Sequence, residues 1–403
     1  MHAKDLRILP RIVEIAPQLC AVRRDIHAHP ELAYEEQRTS ALVADLLEGW
    51  GLQVTRGIGG TGVVATLAAG TSTRAIALRA DLDALPVHEH NHFEHRSTHD
   101  GKMHACGHDG HTAMLLAAAQ YLSETKQFDG VVHFIFQPAE EGGAGAKAML
   151  DDGLFERFDC EAVYGMHNWP GVPVGSFALR PGPMMASSNE FTIRIEGKGA
   201  HAAMPHLGVD TVMVAVHLAQ ALQGVIARER NPLEPAVLSI TQIHAGDAYN
   251  VIPNEAMLRG TVRTFGTPEL DRIEIAMQRL VDGLPPAFNA SATMRFLRNY
   301  PATINDAAEA AFCAGMAESI VGAAGVIRDR EPTMGAEDFS YFLQRKPGCY
   351  VFIGNGEGDH RDAGHGLGPC TLHNPSYDFN DELIPLGATY WARIVESRLS
   401  AQG

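Results

Sequence analysis

The chain has no basic run: 32 Lys and Arg stand against 48 Asp and Glu, a formal net charge of −16. A phosphate backbone is gripped through a positive stripe, so this balance argues against nucleic acid as a partner. No stretch of membrane-spanning length runs free of charge or proline, which predicts no membrane partner. The start, Met1-His2-Ala3-Lys4-Asp5-Leu6-Arg7, lacks the charged-then-apolar layout of an export signal, and a cytoplasmic location is expected. Cysteine is scarce and scattered (Cys20, Cys106, Cys160, Cys313, Cys349, Cys370), which speaks for free thiols in a reducing compartment and against a disulfide framework. Gly142, Gly143 and Gly145 lack both the Lys-Ser/Thr of a P-loop and the spacing of a dinucleotide fingerprint, which rejects a nucleotide. Internal repeats and low-complexity tails are also missing.

What is present is enough for two domains: 403 residues, 45% hydrophobic and 20% charged. Helical periodicity covers 11–29 and 35–50, followed by strand-like runs at 62–68 and 75–80, a helix at 112–122, and short apolar runs at 131–136 and 161–166. Strands alternating with helices imply a mostly parallel sheet covered on both sides. Beyond the Gly/Pro-rich segment 179–183 the order changes: strand 191–195, helix 211–228, strands 237–243 and 256–264, helix 268–284, strand 292–297. This β-α-β-β-α-β order is the split-βαβ sandwich. Helices at 304–320 and 338–343 and a strand at 349–353 then resume the first pattern. The expected fold is therefore α/β, a mostly parallel mixed sheet flanked by helices over 1–186 and 299–403, with an inserted α+β ferredoxin-like domain over 187–298.

Chemistry concentrates at predicted strand ends. Met103-His104-Ala105-Cys106-Gly107-His108-Asp109-Gly110-His111 holds a thiol and three imidazoles in nine residues, with Cys106 and His108 close enough to converge on one ion. Asp81-Leu82-Asp83 follows one strand, and the carboxyl ends of parallel strands are where α/β sheets gather functional groups. By itself an Asp there only closes a turn. Gln137-Pro138-Ala139-Glu140-Glu141 follows another strand, and two adjacent buried carboxylates repel unless a cation lies between them. One Glu can coordinate while the other serves as general base. His167 ends a third strand and His373 lies in Cys370-Thr371-Leu372-His373-Asn374; either imidazole alone would count as structural. Together Asp83, Cys106, His108, Glu141, His167 and His373 supply donors for two metals, a standard arrangement for hydrolysing an amide or ester.

The segments RADLDALP, MHACGHDGH, QPAEEGG, GKGAHAAMP, YNVIPN, RGTVRTF, MGAEDF and LHNP, in this order between about Arg23 and Phe379, resemble the amidohydrolase branch of metallopeptidase family M20. That branch holds hippurate hydrolases, N-acyl amino acid amidohydrolases and auxin-conjugate hydrolases. The resemblance implies two divalent ions (Mn, Zn, Co or Ni) ligated by Cys106, His108, Glu141, His167 and His373, with Glu140 as general base and Asp83 as its supporting carboxylate. It implies no ligand role for Asp81, which falls where other branches carry a ligating His. The inserted domain is implied to be a lid and dimerisation domain, the protein a homodimer or homotetramer, and His201 an oxyanion donor reaching a second subunit's site. Asn250 resembles a substrate-orienting amide, and Gly335 is placed beside the substrate, where a side chain would intrude. Arg259 and Arg263 alternate on one strand face, and Arg263 is the candidate grip on a substrate carboxylate.

The expected activity is hydrolysis of a small-molecule N-acyl amino acid, hippurate-type, to a carboxylic acid and a free amino acid. The alternatives are a dipeptidase or carboxypeptidase of the same family, or a cysteine hydrolase with Cys106 as nucleophile.

Overall fold

The computed structural model describes residues 6–361 and 363–400. The chain divides into two compact units, one of Met1–Met184, Ile304–Glu331 and Asp338–Gly403, the other of Met185–Thr303 with Pro332–Glu337.

In the first unit, strands Ala75–Asp81, Gly130–Gln137, Ala162–Pro170 and Gly348–Gly356 run parallel at the centre of an eight-stranded sheet. Every residue of Ala75–Asp81 is buried: Ala75–Leu78 are apolar, and the Arg79 and Asp81 charges pair with each other at 2.7 Å. Antiparallel neighbours on one side, Gln53–Ile58 and Gly62–Ala69, make the sheet mixed. Helices Pro10–Ala28, His108–Thr125 and Leu383–Arg398 pack on one another over this sheet. His108–Thr125 is buried on every side from His108 to Leu122, so it is a core helix, not an amphipathic one. It begins four residues earlier than its apolar run suggests, which makes His108 its first helical residue.

Around the first turn of that helix lies a buried ion network. Arg23 donates to Asp381 Oδ1 at 2.8 Å, Asp378 Oδ1 at 3.0 Å and Asp109 Oδ2 at 3.3 Å. His27 sits between Asp109 (2.9 Å) and Glu89 (3.2 Å). Burial opposes the His27 charge, but Asp109 and Glu89 outweigh it and push its pKa up to about 10. Because the folded value lies above the ordinary 6.5, this stabilisation is complete below that pH and is lost as pH rises towards about 10. Arg23→Met leaves three carboxylates short of their cation and is expected to cost about 3–5 kcal/mol, read as a lower urea midpoint. An unchanged midpoint at neutral pH would show that the network contributes nothing to stability.

The second unit is built on a four-stranded antiparallel sheet in the order Ala236–Ala245, Glu255–Thr264, Ser188–Glu196, Ser291–Tyr300. Numbered along the chain that is 2-3-1-4, and helices Thr211–Gly224 and Thr267–Gly283 pack on it. Phe191, Ile193 and Ile195, alternating along one strand, meet Leu218, Leu258, Ile273 and Met277 in its core. Among the described residues one helical stretch, Thr211–Glu229, is long and apolar enough to cross a membrane by length and composition, although it ends in the charged pair Arg228-Glu229. Val214, Ala215, Leu218 and Leu222 spend that apolar character on this unit's core.

Candidate metal centre

The carboxyl ends of the parallel strands deliver the first unit's candidates to one place. Ligand atoms of Cys106, His108 and His167 lie within 4.8 Å of one another, and so do those of Cys106, Glu141 and His373. Cys106 belongs to both triads. A third cluster joins His108 to Glu140 and Glu141. All five sequence-derived ligand candidates are thus gathered, with Glu140 beside them.

Local geometry explains the convergence. Gly107 turns the chain between Cys106 and His108 at φ 93°, and a Cβ there would lie 2.3 Å from Asn168 Nδ2 and 2.4 Å from the Tyr377 hydroxyl. Only glycine fits. Ala139, just before the two glutamates, is held at φ 51°, a costly conformation for a residue with a side chain. The Glu36 carboxylate compensates by accepting from Ala139 N at 2.8 Å. Asp83 accepts from the backbone of Glu140 (3.0 Å) and Glu141 (2.8 Å) and lies 3.3 Å from His108 Nδ1. It thereby fixes both glutamates and one imidazole. His373, also left-handed at φ 63°, donates its N–H to Ala105 O, and its Nε2 lies 3.1 Å from Glu141 Oε1.

The electrostatics describe a buried donor cluster short of positive charge. Burial penalises a charged His108, yet Asp81 and Asp83 push its pKa up to about 10. Burial and the nearby carboxylates Glu141 and Glu140 hold the Cys106 thiol well above its ordinary range. Burial would also raise Glu141, but a hydrogen bond from His373 and the charge of His108 bring it below the usual range. His108 Nε2 is buried with no hydrogen-bond partner, which is costly unless something absent from the polypeptide satisfies it. A thiol, three imidazoles and carboxylates aimed at each other fit divalent cations: positive charge lowers the thiol pKa and takes the place of protons. The clusters are those of a dinuclear divalent-metal site.

Two residues emerge that the sequence did not single out. Asp338 accepts from Gln137 Nε2 at 2.8 Å, Ala146 N at 2.9 Å and Arg79 Nη2 at 3.2 Å, while its own N–H points to Glu140 Oε1 at 3.4 Å. From sequence MGAEDF reads as a helix cap and turn; in fact the Asp338 carboxylate is wholly buried. Glu36 is the other, and its only sequence signal is an acidic pair in a predicted helix.

The remaining candidates belong to the second unit. His201 is exposed on the short strand Ala200–His201, paired with Val251–Ile252, and Ala202 N donates to Asn250 O, so His201 and Asn250 are brought together. Arg263 is half-buried on Glu255–Thr264, where desolvation lowers its pKa. Gly335 is exposed, and the atoms nearest to a Cβ there would belong to Met185 and Thr333, the closest at 3.4 Å.

The sequence pattern described as peptidase family M20/M25/M40 matches residues 77–397. The chain is 37% identical to a hippurate hydrolase of Campylobacter jejuni, over 96% of this chain and 98% of that one. It is 38% identical to a thermostable carboxypeptidase of Saccharolobus solfataricus, covering 93% and 94% of the two chains. Among solved structures it resembles a dinuclear metal-binding M20 peptidase of Bacillus subtilis, with a TM-score of 0.82, 31% identity and coverage of 97% and 99%.

Proposed function

Because the chain belongs to peptidase family M20/M25/M40 and is a metal-dependent amidohydrolase of N-acyl amino acid-like substrates, we propose the following division of labour among its residues. The observation that carries it is the pair of donor triads sharing Cys106. Cys106, His108 and His167 would hold one divalent ion, and Cys106, Glu141 and His373 would hold the other. The thiolate suits zinc, while imidazole and carboxylate donors also suit manganese, cobalt or nickel. Bound there, the ions supply Lewis acidity that makes water a nucleophile at neutral pH and polarises the scissile carbonyl.

Glu140 takes the proton from water as oxygen attacks the carbonyl carbon, then gives it to the nitrogen as the C–N bond breaks. The products are a carboxylic acid and a free amino acid. Asp83 keeps Glu140 and Glu141 in register through their backbone N–H groups. His201, supplied by a second copy of the chain, donates to the oxyanion. Asn250 orients the substrate, Arg263 pairs with its carboxylate, and Gly335 leaves room for it. Pairing of copies is supported by exposed apolar side chains on and near helix Thr211–Gly224, namely Val212, Met213, Val216, Met204 and Leu207.

The test is a panel of N-benzoyl, N-acetyl and longer N-acyl amino acids beside free dipeptides, run on enzyme loaded with each of the four ions. N-acyl amino acids are expected to exceed dipeptides at least about tenfold in kcat/KM, a difference of about 1.4 kcal/mol in transition-state binding. Faster cleavage of dipeptides would make the protein a dipeptidase.

A further inference from the structure

His108 and His111 stand one turn apart at the start of helix His108–Thr125, and both fall in a donor cluster with Asp81 whose ligand atoms lie within 4.8 Å of one another. We infer that His111 is not a metal ligand but the positioning residue that fixes the strand end bearing His167.

Hydrogen-bond accounting separates the two rings. An imidazole with one proton offers one donor and one acceptor nitrogen. The Asn168 backbone N–H can only donate, and it reaches His111 Nε2 at 2.9 Å, with Asn168 Nδ2 a further 3.0 Å contact. The Nε2 lone pair is therefore committed. His111 then carries its proton on Nδ1 and donates it to Asp81 Oδ1 at 2.6 Å, while Asp81 Oδ2 accepts from Arg79 at 2.7 Å. No lone pair on His111 remains for a cation. His108 is the converse: Nδ1 is engaged by Asp83 and Nε2 is buried without a hydrogen-bond partner.

Asn168 passes the constraint to two proposed ligands. Its carbonyl accepts from His167 Nδ1 at 2.6 Å, which leaves His167 Nε2, 3.3 Å from Cys106 Sγ, as that ring's coordinating atom. Its Nδ2 donates to Cys106 O at 2.7 Å, and its Oδ1 accepts from the Tyr377 hydroxyl at 2.8 Å. Arg79, Asp81, His111 and Asn168 are all buried, so the row is a rigid brace running from a central strand to the metal ligands. Such outer partners set ligand tautomer and orientation and tune affinity. The same row orients Asp81, whose two oxygens accept from His111 and Arg79.

This inference rests on the ligand set proposed above, and titration with Co2+ tells the two apart. Wild type is expected to take up two ions; fewer would sink the ligand set itself. His111→Gln is expected still to take up two ions at saturation, with affinity weakened about 10- to 100-fold and the thiolate-to-cobalt absorption band retained. If instead the variant saturates at one ion while wild type takes two, His111 is a ligand and the inference is wrong. Should His111→Gln fail to fold, nitrogen NMR of wild type decides. The His111 Nδ1–H signal should be protected from exchange and keep its Nε2 shift when Zn2+ is added, whereas a large Nε2 shift on loading overturns the assignment.

Discussion

Glu140→Gln is expected to lower kcat by about 10²- to 10⁴-fold while leaving two ions bound per chain. Gln preserves the shape of the side chain, and the backbone N–H at 140 still reaches Asp83 at 3.0 Å, so the glutamate loop keeps its conformation. What disappears is the capacity to accept a proton. The paired measurement, kcat on an N-acyl amino acid and metal content by elemental analysis, matters because His108, Glu140 and Glu141 also form a donor cluster. Loss of one ion together with activity would make Glu140 a ligand. Near-normal turnover with both ions present would remove it from the chemistry altogether.

Exhaustive chelation is expected to reduce turnover by on the order of 10³-fold or more, because several kcal/mol of transition-state stabilisation leave with the ions, and added divalent cation should restore it. The rival reading, Cys106 as nucleophile, predicts the reverse: chelation is harmless and alkylation fatal. Burial and the carboxylates around Cys106 already weigh against that rival, since they hold the thiol in its protonated, weakly nucleophilic form. Metal-loaded enzyme should resist iodoacetamide for a different reason, because the coordinated sulfur has its lone pairs committed to the ions. Full activity after chelation, confirmed by a metal-free elemental assay, would require a different mechanism.

The centre of the first unit was legible from sequence because each central strand is a short apolar run that stops at a polar group: Asp81, Gln137 and His167 mark three of those stops. The flanking strand Gln53–Ile58 was missed, being half exposed and without a clean alternation. The start of helix His108–Thr125 was misplaced because its first turn is His, Asp, Gly and His, polar residues that local periodicity assigns to a loop. They are buried because Arg23, His27, Asp81 and Asn168, distant in sequence, satisfy them. The supports escaped for the same reason. Asp338 meets Gln137 across 201 positions and Glu36 meets Ala139 across 103, and no short window contains both partners.

Gly107 bears on any attempt to change the enzyme's ion preference by selection. With Asn168 and Tyr377 pressed against its Cα, this position is closed to every other amino acid, and the separation of the thiol from the first imidazole is frozen with it. A library aimed at a harder or softer cation would therefore find few tolerated changes inside the Cys-Gly-His step. Its productive diversity would have to come from exchanging Cys106 itself.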